Sequence, residues 1–145
     1  MNADMVGRLI CFDVGERRIG IAVSDMLGIT AQPVETYHRT GNLEKDYEYL
    51  VSIIKEQEAV KLVVGLPKNM NNSLGFAAQR TLDFEKLLKD EFEIPIYEQD
   101  ERLSSVTANN ILLEADVSRR KRKKKVDQLA ATIILQNYLD IRKGI

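Results

Sequence analysis

Four acids stand where an acid is costly or out of place. Asp13 interrupts the otherwise apolar run of RLICFDVGERRIGIAVSD, residues 8 to 25; Asp100 and Glu101 open the tripeptide DER directly after the extended stretch IPIYEQ; and Asp127 heads the apolar side of KVDQLAATIILQNYLD. Brought together, such carboxylates repel and raise one another's pKa values, so their convergence is unfavourable in a bare protein. A divalent cation removes that penalty. Mg²⁺, or Mn²⁺ in its place, suits carboxylate oxygens supplemented by water and substrate phosphates. A pair of such ions about 3.5–4 Å apart can activate water and stabilise the leaving oxygen in phosphodiester hydrolysis. Each acid alone also has a plainer explanation. Asp13 can cap a turn through its side chain. Asp100 and Glu101 can pair with Arg102 or begin a helix, and Asp127 can likewise sit at a helix start, where acids favour the positive dipole end. Only the combination lifts the metal-site reading above these.

The second chemical feature is the unbroken block RRKRKKK: Arg119, Arg120, Lys121, Arg122, Lys123, Lys124 and Lys125, seven of the chain's 21 basic residues. The net charge of −1 hides it, because without the block 14 bases face 22 acids. Cations near a helix N-terminus oppose the macrodipole, so local helix energetics do not explain the run; an external polyanion does. If about four phosphates were neutralised there, the logarithm of affinity would fall with log salt at a slope of roughly −3 to −4. The plainer alternative is a solvated charged loop or a generic polyanion patch. Arg17 and Arg18 in GERR, Arg102 beside the acids, and Lys68 and Asn69 in the polar loop PKNMNNS are further candidates for nucleic-acid contact.

Elements must then bring these residues together. Residues 8 to 14 and 19 to 24 read as strands joined by a hairpin at GERR, with Gly15 supplying a positive φ. VETYH after Pro33 is a third extended stretch. Leu43, Tyr47, Leu50, Val51 and Ile54 follow helical spacing and predict an amphipathic helix over 43–58. VKLVVGL at 60 to 66 is short and nearly all apolar, as a central strand covered on both faces is. Phe76, Arg80, Phe84, Leu87 and Leu88 form the stripe of a second helix, and residues 94 to 99 a fifth strand. Ser104 or Ser105 caps a third helix carrying Ala108, Ile111, Leu112 and Ala115, and a fourth runs from about 124 to 142.

This order predicts an α/β fold, a mixed sheet with helices on both faces and parallel strands joined by right-handed crossovers. Ligands in such sheets bind beyond the carboxyl ends of the parallel strands, which is where Asp13 and DER fall. At 145 residues the chain fits one domain, 1–145, long enough to bury roughly 68–70% of its unfolded surface. No apolar stretch approaches the ~20 residues of a membrane span and no long apolar leader is present, so the expected location is cytoplasmic, with no membrane partner. The single cysteine, Cys11, lies inside the first apolar run and reads as core. His38 is assigned no catalytic part.

At FDVGERRIGIAVSD, VVGLPKNMNNS, DERLSS and KVDQLAATIILQNYLD the sequence resembles the YqgF/RuvX family, bacterial proteins of the RNase H-like superfamily described as Holliday junction resolvases or pre-16S rRNA nucleases. The resemblance runs nearly end to end, and four motifs in order make it specific. It implies an RNase H-like fold with a five-stranded mixed sheet, and it carries over Asp13, Asp100, Glu101 and Asp127 as the acidic site. Serines stand at 104 and 105 where the family commonly has threonines, which keeps the hydroxyls. Ala130 stands where related junction resolvases place another acid, one turn beyond the helix aspartate, so a three-carboxylate site is better supported than a full two-metal one. Strand alternation lets only one of Asp100 and Glu101 point inward easily, and both are kept.

The expected function is a metal-dependent endonuclease acting on structured nucleic acid, with trimming of pre-16S rRNA favoured because the family implies it. Resolution of branched DNA is the nearest rival, and a homodimer with two sites rather than a monomer would favour it. A noncatalytic RNA-binding assembly factor is a further alternative. An ATP-binding domain ranks low, since proteins that clamp nucleotide between two such units need twice the length.

Overall fold

A computed structural model describes residues 7–66, 75–91, 94–100, 110–111 and 119–143. Five strands, β1 (Arg8–Val14), β2 (Arg18–Ser24), β3 (Ala31–His38), β4 (Ala59–Leu66) and β5 (Ile96–Asp100), form one sheet in the order β3-β2-β1-β4-β5. The first three make an antiparallel meander; β4 joins β1, and β5 joins β4, in parallel. The expected mixed α/β sheet is therefore present, with β1 at its centre.

Period-2 alternation sends the strands' apolar side chains to two cores. Ile10, Phe12, Val14, Ile19, Ile21 and Leu62 pack beneath helices α1 (Leu43–Glu56) and α2 (Phe76–Glu91), meeting Leu50, Ile54, Phe84 and Leu88. Leu9, Cys11, Ala22 and Val63 point the other way, against Ala131, Ile134, Leu135 and Leu139 of α3 (Arg119–Lys143). Cys11 is fully buried, as expected. The small residues of the second core let α3 lie close on β1, β2 and β3. Its far end is pinned by Gln136, which accepts from Ala31 N at 2.9 Å and donates to Ile29 O at 3.1 Å.

The boundaries differ from expectation for local reasons. β3 begins at Ala31 and runs through Pro33, which an edge strand tolerates; the ladder with β2 shifts register at Ile21/Ala22, opposite this proline. α1 starts where Asn42 accepts from Lys45 N at 3.1 Å, and stops at Glu56 because Glu58 turns left-handed with φ 53°. The hairpin turn closes through Gly15 N donating to Arg18 O at 2.8 Å, yet Gly15 is not among the positive-φ residues. Glycine is required there by space: a Cβ would lie 2.6 Å from the Arg18 carbonyl oxygen. The last helix begins at Arg119, about five residues before the expected start, so the whole basic block is helical. Arg and Lys are good helix formers, and the long apolar face of residues 130–139 carries the helix through an unfavourable first turn. Residues 110 and 111 are helical; the rest of the helix expected after Ser104 or Ser105 lies outside the described residues.

Candidate functional site

Asp13 shares its side of β1 with Leu9 and Cys11, the side that faces α3. Directly opposite it in the β1–β2 ladder is Gly20. A Cβ on Gly20 would lie 2.1 Å from the carbonyl oxygen of Asp127 and 2.6 Å from its carbonyl carbon, so the helix backbone at Asp127 rests on the bare glycine beside Asp13. Two acids 114 positions apart in sequence are brought to one patch of the sheet by the absence of a methyl group.

Asp127 lies eight residues into α3, not at its start, so the dipole explanation no longer applies: that effect fades within the first turn. Its Oδ2 is 2.8 Å from Nε of Arg18, with both side chains partly exposed. The contact is one of charge rather than a directed hydrogen bond, because Oδ2 itself is shut from solvent and no donor among the described residues is aimed at it. Burial raises the carboxyl's pKa, opposed by the charges of Arg18 and then His38. A buried carboxylate oxygen with unused acceptor capacity is a hard donor of the kind Mg²⁺ and Mn²⁺ take. No group of three potential metal ligands occurs among the described residues. Ala130, one turn on from Asp127, is fully buried.

The remaining predicted residues divide between this edge and regions without description. The backbone of Asp100 ends β5, opposite Leu66 of β4 and at the same end of the parallel strands as Val14. Glu101, Arg102, Lys68 and Asn69 lie outside the described residues. Arg17 and Arg18, with Gly15, Glu16 and Asp127, line a cleft of about 230 Å³. Lys121 and Lys125 of the basic block are exposed, in the two turns that precede Asp127.

Sequence reasoning missed two features. His38 pairs with Arg18 across the β2–β3 ladder, close enough for its charge to bear on Asp127. Only the register reveals this. The other is Asp46, fully buried in the first turn of α1. Its Oδ1 accepts from Tyr37 Oη at 2.9 Å, Thr40 N at 2.9 Å and Thr40 Oγ1 at 3.0 Å, and its Oδ2 accepts from Arg39 Nε at 3.1 Å. Burial pushes this carboxyl up, but the four hydrogen bonds outweigh it and the pKa is lowered. Arg39 also donates through Nη1 to Gly15 O at 2.9 Å, tying the hairpin turn beside Asp13 to α1.

Comparison with known proteins shows the family and the fold. A relative from Clostridioides difficile (strain 630), named "Putative pre-16S rRNA nuclease", is 54% identical over 136 residues, 94% of this chain and 96% of its own. One of the same name from Staphylococcus haemolyticus (strain JCSC1435) is 50% identical, covering 92% and 95%. Among solved structures, Thermus thermophilus RuvC in complex with a Holliday junction substrate superposes with a TM-score of 0.62 at 13% identity, over 95% of this chain and 96% of that one. This likeness shows the RNase H-like fold. The family model described as "RuvX: Holliday junction resolvase" matches residues 7–141, a span that runs from the strand bearing Asp13 to the helix bearing Asp127, and the chain belongs to that family.

Proposed function

We propose that this protein is a divalent-metal-dependent endonuclease that hydrolyses phosphodiester bonds in structured nucleic acid, and that its substrate is the 5′ end of pre-16S rRNA. The observation that carries the reading is the seating of Asp127 on Gly20, opposite Asp13, with a buried carboxylate oxygen that no described donor satisfies. The names of the relatives support the RNA substrate.

Asp13, Asp127 and one acid of the DER tripeptide would hold Mg²⁺ or Mn²⁺. Tyr97 packs on Tyr138 of α3 and so belongs to Asp13's side of the sheet; β5 therefore leads into DER beside α3, and Asp100 and Glu101 are both kept as candidates for that acid. When bound, the cation supplies positive charge to the scissile phosphate and acidifies the attacking water. Arg18, now lying against Asp127, and Arg17 on the turn are positioned to take phosphate oxygens, and a guanidinium does this bidentately. The basic block in the opening turns of α3 grips the backbone on the approach to the acids. One domain spanning 1–145 suffices for all of this.

The description of the matching family supports a second reading, in which the same acids cut branched DNA. Labelled precursor rRNA and four-way DNA, each incubated with purified protein and Mg²⁺ or Mn²⁺ beside an Asp13→Asn control, separate the two. Cleavage of the RNA alone supports the first reading and cleavage of the DNA alone the second. Cleavage of neither, or equal cleavage by the control, removes both.

A further inference from the structure

A second cleft, of about 680 Å³, opens on the opposite side of the hairpin turn, and Glu16 and Arg17 line both it and the cleft that contains Asp127. Three basic side chains reach it from separate elements: Arg17 from the turn, His38 from the end of β3 and Arg80 from α2. Arg39 also lines it but is already committed, to Asp46, to the Gly15 carbonyl and to the face of Phe84, whose ring centre is 4.9 Å from the guanidinium carbon. It serves as floor. Arg80 is different. It occupies the helical stripe of buried Phe84 and Leu88, where an apolar residue would serve the core, and neither it nor Arg17 has an ion-pair partner among the described residues. Glu16 is the only acid among the described residues that line it, against Arg17, His38, Arg39 and Arg80, so their balance is cationic.

We propose that this cleft is a second binding site for the sugar-phosphate backbone, in which Arg17, His38 and Arg80 hold the strand as it leaves the carboxylate cleft. The inference rests on the nuclease reading and extends it. The chemistry is that of guanidinium groups on phosphate oxygens, and the volume is ample for a phosphate with its sugar. The shared wall makes the path continuous: a strand gripped by Arg17 beside Asp127 has Arg80 and His38 next along the surface.

The test measures binding, not cutting. Anisotropy of a labelled single-stranded RNA of about 16 nucleotides, long enough to run beyond one cleft, is followed against salt in metal-free buffer. Arg80→Ala, which preserves helix propensity, is expected to weaken binding about tenfold and to flatten the slope of log affinity against log salt by about 0.7. Arg80→Lys should restore the slope, and Lys86→Ala, on the same helix but lining a different cleft, should leave it unchanged. His38→Ala, on another element, guards against a folding defect in α2 and should also weaken binding. Wild-type affinity and slope in both Arg80→Ala and His38→Ala would overturn the second site while leaving the nuclease reading intact. An equal loss in Lys86→Ala would reduce the effect to general charge and overturn it as well. Wild-type protein that binds neither this RNA nor four-way DNA would fail the nuclease reading itself.

Discussion

Asp46, fully buried, and Asp127, partly exposed but with one carboxylate oxygen shut from solvent, are both acids held against an arginine, on opposite faces of one sheet, and they are finished differently. Asp46 receives four directed hydrogen bonds and its pKa is lowered. Asp127 has charge nearby but an oxygen to which no described donor is aimed, and its pKa is raised. A carboxylate whose acceptor sites are filled locks the chain around it; one left short of donors stores a cost that a ligand can relieve. The first fastens the turn beside the candidate site. The second is the one proposed as a metal ligand.

The contrast is broken most severely by Asp46→Ala. Removing one partner of a buried pair strands Arg39 and costs ~3–5 kcal/mol, read as a lower urea midpoint. Next in size is the loss of cleavage in Asp127→Asn or Asp13→Asn with little loss of fold. As proposed metal ligands they should lower the rate by more than the ~10–100-fold typical of outer-shell partners. Variants that keep wild-type rates would make Asp127 a second structural acid and erase the distinction. Gly20→Ala should come third, at ~1–3 kcal/mol of overpacking, because the new methyl meets helix backbone, which has nowhere to yield; activity should fall further than stability as α3 lifts from Asp13.

Smallest is the response to pH, where the two acids have opposite signs. Asp46's folded pKa lies below its ordinary 3.8, so its stabilisation is complete above that value and is lost as pH falls through the folded one. Asp127's lies above 3.8, so its ionised form penalises the folded state at neutral pH, and the penalty disappears as pH falls through the folded value towards 3.8. Thermal melts of metal-free Asp127→Asn should accordingly show a small gain in Tm at neutral pH that vanishes in acid. Mg²⁺ should then stabilise wild type more than the variant.

The sheet was legible in the sequence because strand periodicity and the GERR turn are local signals, and Asp13 was legible because it violates its own strand's pattern. The start of α3 was not. Electrostatics argued against cations in a first turn, while propensity and the apolar face further along decided for helix. Asp46 was hidden for a different reason: an acid in a helix's first turn looks solvated, and only the folding back of Tyr37, Arg39 and Thr40 shows it enclosed. The meeting of Asp13 with Asp127 was legible as chemistry, from residue types, but the contact that brings it about depends on Gly20, an inconspicuous glycine inside a strand.

The seating of α3 on β2 also sets an order of events during synthesis. The ribosome must add 114 residues after Asp13 before Asp127 exists, and several more turns before the helix has the apolar face that docks it. A nascent chain therefore presents Asp13 long before Asp127 can meet it, and the two acids come together only once α3 has been made and has docked on Gly20.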